Sequence, residues 1–337
     1  MAIHYAELVK GFGYRMQRRI FIVFFFLPLV LAVSQLACLR LPVTLADVQS
    51  PNGAMTNHLT PSPTEVLEGC TDLFRDLDPR CVLPTATEFV VIPTEFPAHT
   101  CTEPSVRLER TSYLGWQTPG LVPVLVYLPP CYDDFDRRYP VLYLLHGKPQ
   151  DENHWQILGV EAALEDAYRD DTLPPFLVVM PRQPEPLFSG TDGGTASYED
   201  EFINGLVPFI DRTYRTIAQG DSRGLAGVSR GGVWALEIGF RNTDIIQRVG
   251  ALSPALNVNF ARPEYDPFSL ILFEDMPSTI FLMSGDTDYA YTKTLELSEA
   301  LREAEIEHKY VLVAGNHESS TWRGILPDVL RYLAVDW

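Results

Sequence analysis

The stretch that most constrains this chain is Arg223 to Asn242, RGLAGVSRGGVWALEIGFRN. Leu225, Ala226 and Val228 make a short apolar strand, a serine stands between glycines, and Val233, Trp234, Leu236, Ile238 and Phe240 give the following helix its apolar residues. Gly227-Val228-Ser229-Arg230-Gly231 fits G-x-S-x-G, a sharp strand-to-helix turn that lifts a serine hydroxyl clear of a sheet towards a carbonyl carbon. Side chains at Gly227 or Gly231 would collide with backbone where the chain folds back. Ser229 is therefore the expected nucleophile.

A five-residue pattern recurs by chance, and this chain holds a second copy, Gly220-Asp221-Ser222-Arg223-Gly224. Ser222 lies in the polar run QGDSRG with a strand after it and no helix directly following, which is the profile of an ordinary turn. Only Ser229 has the strand before and the helix after that the mechanism needs.

The rest of the chain alternates in the same sense from about residue 105. Val122 to Pro130, Tyr139 to Gly147, Phe176 to Pro181, Ser278 to Gly285 and His308 to Gly315 read as strands. Val160 to Arg169, Tyr198 to Tyr214, Thr292 to Ala304 and Trp322 to Ala334 read as helices. Strand and helix in regular turn predict an α/β domain over residues 105–337, with a mostly parallel sheet covered by helices on both faces.

A serine hydroxyl needs a base within hydrogen-bond reach and an acid to orient that base. In such sheets the reacting groups gather at the carboxyl ends of strands. His317, in AGNHESS directly after the last strand, meets that test. His4, His58 and His99 precede the domain, His308 opens a strand and His154 lies in a loop. For the acid, MSGDTDYAY delivers Asp286 and Asp288 after a strand; Asp288 is preferred because it leaves room for a turn, with Asp286 capping that turn. The oxyanion needs two preorganised N–H donors. The backbone of Arg230 is one candidate and that of Lys148, after His146-Gly147, the other, Pro149 having no N–H. Trp155, Tyr198, Tyr289 and Trp322 are candidate pocket residues beside the expected active face.

The first hundred residues differ in character. Lys10, Arg15, Arg18 and Arg19 precede an apolar run from Ile20 to Cys38, the order of an export signal, and residues 1–40 are expected to be a signal peptide or a membrane or lipid anchor. Gln35-Leu36-Ala37-Cys38 is similar to a lipoprotein cleavage box, which would lipidate Cys38. Lipid anchor, membrane anchor and clean secretion all place the remainder outside the cytoplasm, as the positive-inside asymmetry also predicts. Residues 41–104 are rich in Pro, Thr and Ser and read as a linker or stalk. Cys70, Cys81, Cys101 and Cys131 are an even set in an oxidising compartment, and pairing of nearest partners favours Cys70 with Cys81 and Cys101 with Cys131. A net charge of -18 argues against a nucleic-acid partner and for a neutral ester substrate. No clustered ligands point to a metal, and no cofactor is expected.

The motifs VYLPPCYDD, RYPVLYLLHG, DENHW, PPFLVVMP, LVPFIDRTYRT, GVSRGGVWALEIG, ALSPAL, SGDTD and GNHESSTW together resemble the Putative esterase (esterase D-like) family of the α/β-hydrolase superfamily. That group includes feruloyl esterases, S-formylglutathione hydrolases, enterochelin esterases and mycolyltransferases. The likeness runs from about Arg107 to the C-terminus. It implies the α/β-hydrolase fold, with Ser229 as nucleophile, Asp288 as acid and His317 as base in hydrolysis of an ester or transfer of its acyl group. Two positions depart from the family pattern. Cys131 stands where glycine is common, and Asn204-Gly205 replaces an acidic pair before LVPFID.

Overall fold

Among the described residues, eight strands form one sheet in the order β1-β2-β4-β3-β5-β6-β7-β8. They are β1 (Arg107–Leu114), β2 (Leu121–Leu128), β3 (Val141–Leu145), β4 (Leu177–Pro181), β5 (Arg223–Val228), β6 (Arg248–Leu252), β7 (Thr279–Gly285) and β8 (Lys309–Val313). The structure is a computed structural model and describes Cys101 and residues 105–337 apart from 273, 274 and 335. The export segment, the stalk, Cys38 and the Cys70–Cys81 pair lie outside the described residues. Strands β3 to β8 run parallel, and β1 and β2 add an antiparallel hairpin at one edge.

The central strands VLYLL, LVVMP and RGLAGV are buried at every position, as expected for a parallel sheet covered on both faces. Alternation then divides one strand between two cores. Val141, Tyr143 and Leu145 pack on one side with Phe202, Ile210 and the helix after β5, whereas Leu142 and Leu144 pack on the other with Trp155, Leu326 and Leu330.

The helices that cover the sheet are α1 (His154–Leu158), α2 (Val160–Arg169), α3 (the continuous run 198–213), α4 (Arg230–Arg241), α5 (Pro267–Leu270), α6 (Tyr291–Glu303) and α7 (Ser319–Ala334). Within α3, Glu201–Leu206 winds as a π-helix. There the Glu201 carboxylate, fully buried, accepts the backbone N–H groups of Trp116, Gln117 and Thr118 at 3.1, 2.6 and 2.9 Å, fixing the β1–β2 turn to the helix. A Cβ on Gly205 would stand 2.9 Å from Cβ of Trp116, so the glycine that departs from the family pattern is what lets this turn lie close.

Two strands went unread in the sequence. RLERTSYL of β1 is polar because it is an edge strand, and RVGAL of β6 has five residues and an interior glycine. The other unusual family position, Cys131, has φ of 60° and is disulfide-bonded to Cys101. Its left-handed backbone is the conformation for which glycine is the ordinary choice.

Candidate active site

The register of the parallel strands brings four residues to one edge of the sheet. Val228 pairs with Leu252, Leu252 with Met283, and Gly285 with Val313, so β5 to β8 end level with one another. Just past those ends stand Ser229, Ser253, Asp288 and His317. The ladder continues one step into the loops: Ser229 N–H donates to Leu252 O at 2.9 Å and Ser253 N–H to Met283 O at 2.7 Å.

Ser229 occupies a turn that only glycine neighbours permit. A Cβ on Gly227 would lie 2.2 Å from Gly231 O, and one on Gly231 would lie 2.4 Å from His146 O. The serine itself has φ 55° and ψ -119°, a sparsely populated conformation held by the strand behind it and the helix ahead. Ser222, the rival match, lies in a short 3-10 turn at the opposite end of β5.

The loops after β7 and β8 are braced against each other. Asp286 N–H donates to Val313 O at 2.8 Å, Thr287 N–H to Gly315 O at 3.0 Å, and the Asp286 carboxylate accepts Gly315 N–H at 2.9 Å. Asp286 thus clamps one loop to its neighbour and does not cap its own turn. The clamp points Asp288 at His317. Nδ1 of His317 lies 2.9 and 3.1 Å from the two Asp288 oxygens, and Nε2 lies 2.9 Å from Ser229 Oγ.

Asp288 is buried, and burial raises its pKa. Hydrogen bonds from His317, Ser253 and the Ala290 N–H outweigh that cost and hold the carboxyl below its ordinary value. It is therefore an acceptor at neutral pH, so His317 Nδ1 carries the proton and Nε2 offers its lone pair to the serine.

The loop after β3 passes beside the serine. A Cβ on Gly147 would lie 3.1 Å from Cβ of Ser229. His146 Nε2 accepts the Gln183 N–H at 2.9 Å, so its Nδ1 donates to Gly147 O at 3.0 Å; burial lowers its pKa and keeps it neutral. His154, which the sequence places in an ordinary loop, is buried and opens α1. Its Nδ1 accepts Gly147 N–H at 3.4 Å, and burial lowers its pKa to about 4. Among the described residues the backbone N–H groups of Lys148 and Arg230 have no protein acceptor. The Lys148 side chain is turned away to Ser189 Oγ and Glu185.

Of the four aromatic candidates Tyr289 alone is exposed, and Trp322 belongs to the core beside the imidazole. Tyr289 is 50% exposed, stacks on the His317 ring at 4.2 Å between centroids and holds its hydroxyl 3.1 Å from Nε2; Trp322 meets the same imidazole edge-on at 5.0 Å. Trp155 and Tyr198 are not pocket residues. Each is 1% exposed, Trp155 locked to Leu145 O at 3.0 Å and Tyr198 packed against Phe202 and Trp234, because large rings next to a sheet complete its core. Sequence reasoning missed Ser253, whose hydroxyl reaches both Asp288 and Trp322. It follows β6, whose five-residue run RVGAL is too short and too interrupted by glycine to signal a strand.

The family model described as Putative esterase matches residues 117–333. This chain belongs to that family. Among curated relatives, the endo-1,4-beta-xylanase/feruloyl esterase of Xylanibacter ruminicola is 28% identical over 236 residues, covering 67% of this chain and 31% of that protein. Esterase MT1326 of Mycobacterium tuberculosis is 37% identical over 137 residues, covering 38% of this chain and 27% of that protein. This chain therefore spans about a third or less of the length of these relatives. In fold, a ferulic acid esterase superposes with a TM-score of 0.62 at 21% identity, covering 69% of this chain and 99% of the other. The S-formylglutathione hydrolase FrmB of Staphylococcus aureus gives 0.58 at 16% identity, covering 68% and 98%. The α/β fold with its eight-stranded, mostly parallel sheet is that of these esterases.

Proposed function

We propose that this protein is a serine esterase that hydrolyses a carboxylic ester through an acyl-enzyme on Ser229. The observation that carries this reading is the unbroken series from Ser229 Oγ to His317 Nε2 at 2.9 Å and from His317 Nδ1 to Asp288 at 2.9 Å. His317 takes the Oγ proton as Oγ bonds to the acyl carbon. The tetrahedral oxyanion is held by the backbone N–H groups of Arg230 and Lys148, each worth about 3 kcal/mol in such a site. Collapse breaks the ester C–O bond, and His317 returns the proton to the leaving alcohol. Water then repeats the sequence on the acyl-enzyme.

An extracytoplasmic location forms part of this proposal. It is supported by the basic-then-apolar order of residues 1–40 and by the Cys101–Cys131 disulfide, a bond that persists in oxidising compartments. The substrate is a small ester or the ester of a carbohydrate, a reading supported by similarity to an endo-1,4-beta-xylanase/feruloyl esterase and a ferulic acid esterase.

The test is turnover of a short-chain aryl ester by the full chain. Ser229→Ala is expected to lose about 10⁵-fold in kcat and all labelling by a serine-directed phosphonate. Ser222→Ala is expected to match wild type. Equal activity of the two variants would show that the nucleophile lies elsewhere.

A further inference from the structure

The serine shares its base with a second hydroxyl. His317 Nδ1 is committed to Asp288, so Nε2 has a single lone pair to offer. Ser229 Oγ lies 2.9 Å from it and Tyr289 OH lies 3.1 Å from it. In the free enzyme the two hydroxyls therefore compete for that lone pair, and one of them at a time donates to it.

In the acyl-enzyme the balance changes. Ser229 Oγ is then an ester oxygen with no proton, and Tyr289 is left as the hydroxyl that holds the base. Whatever enters must come within hydrogen-bond reach of Nε2 to lose its proton there, and the phenol already occupies that reach. The ring is 50% exposed and has one face on the imidazole, which leaves it room to turn outward and carbon surface for an incoming molecule to contact. Burial raises the phenol pKa, so it keeps its proton and its donor character through neutral pH.

We propose that Tyr289 governs which nucleophile resolves the acyl-enzyme, disfavouring water and favouring an alcohol large enough to pack against its ring. This rests on the esterase reading of Ser229. In the step concerned, the oxygen of the entering alcohol bonds to the acyl carbon and its proton passes to His317 Nε2. The carbon–Oγ bond then breaks and the proton moves from Nε2 to Oγ, giving a new ester and free Ser229. Water in the same place gives the carboxylic acid. An alcohol that displaces the phenol recovers ring contact; water recovers none.

The experiment measures the ratio of transester to acid formed from a short-chain aryl ester in the presence of benzyl alcohol, for the full-length wild type and Tyr289→Phe. Because the side chain is half exposed, the phenylalanine preserves the stacked ring while clearing Nε2. The ratio is expected to fall about fivefold in the variant, with faster release of acid, the effect of one ordinary hydrogen bond. Methanol in place of benzyl alcohol should give a low ratio in both proteins. An unchanged or raised ratio in Tyr289→Phe, with wild type active, overturns this proposal and leaves the esterase reading standing. Wild type that neither turns over the ester nor reacts with the phosphonate overturns both.

Discussion

Ser253 Oγ accepts the indole N–H of Trp322 at 3.0 Å, and the same hydroxyl helps to hold the Asp288 carboxyl below its ordinary pKa. Ser253 is fully buried with φ of 46°, so the same left-handed turn that ends β6 aims its hydroxyl at the acid behind His317. Ser253→Ala would remove one donor from a buried carboxylate and leave the indole N–H without a partner. A hydrogen bond to a charged group contributes about 1.5–3 kcal/mol. The expected result is a fall in kcat of about tenfold with KM little changed, measured by steady-state kinetics, and a smaller fall for Trp322→Phe.

The turn carrying Ser229 makes a sharper demand on its glycines. Gly227→Ala would press a methyl against the carbonyl of Gly231, and backbone cannot move aside as a flexible side chain can. We expect a loss of about 3 kcal/mol in stability and on the order of 100-fold in kcat. Gly324, within α7, has nothing within 4 Å of its would-be Cβ. Gly324→Ala should stabilise by about 0.5–1 kcal/mol, since a helix interior favours alanine. Denaturant unfolding of the two variants checks both signs.

Glu237 lies in α4 two turns beyond Ser229, fully buried, with neither carboxylate oxygen hydrogen-bonded. Burial, and after it the charge of Glu199, push its pKa from 4.5 up to about 9. A carboxyl raised in this way contributes stability that is complete below its ordinary pKa and is lost as pH climbs towards the folded value. Glu237→Gln should therefore match wild type near pH 4 and exceed it by on the order of 5 kcal/mol at pH 8. A gap that stays constant or narrows with rising pH in denaturant titrations would refute this.

Cys131 has two separable roles. Its bond to Cys101 closes a loop with a sequence separation of 30, and losing such a cross-link costs about 3 kcal/mol. Its left-handed backbone costs a further increment for any residue with a Cβ. In a Cys101→Ser background, Cys131→Gly should therefore be more stable than Cys131→Ala by about 1 kcal/mol. Thermal melts of the two double variants provide the comparison.

What the sequence disclosed follows from how local each feature is. The Ser229 turn is written in adjacent residues, because strand, glycines and helix are consecutive in the chain. His317 and Asp288 were found because each follows a strand whose apolar run is unbroken. Ser253 follows RVGAL, whose apolar run is short and interrupted by a glycine, and so went unnoticed. The rings of Trp155 and Tyr198 show the converse limit: an aromatic residue near an active edge in sequence faces either solvent or the core, and the choice depends on helices placed by distant contacts. Strand β1 escaped notice because an edge strand carries polar side chains.

The Cys101–Cys131 bond also sets how mechanical load would enter the domain. The hairpin of β1 and β2, residues 107–128, lies wholly inside the loop that this bond closes. Tension applied through the preceding residues would cross from sulfur to sulfur and reach the chain at Cys131, bypassing the outermost strand. A pull that would otherwise peel β1 from the sheet would leave the hairpin slack and meet the body of the fold beyond it.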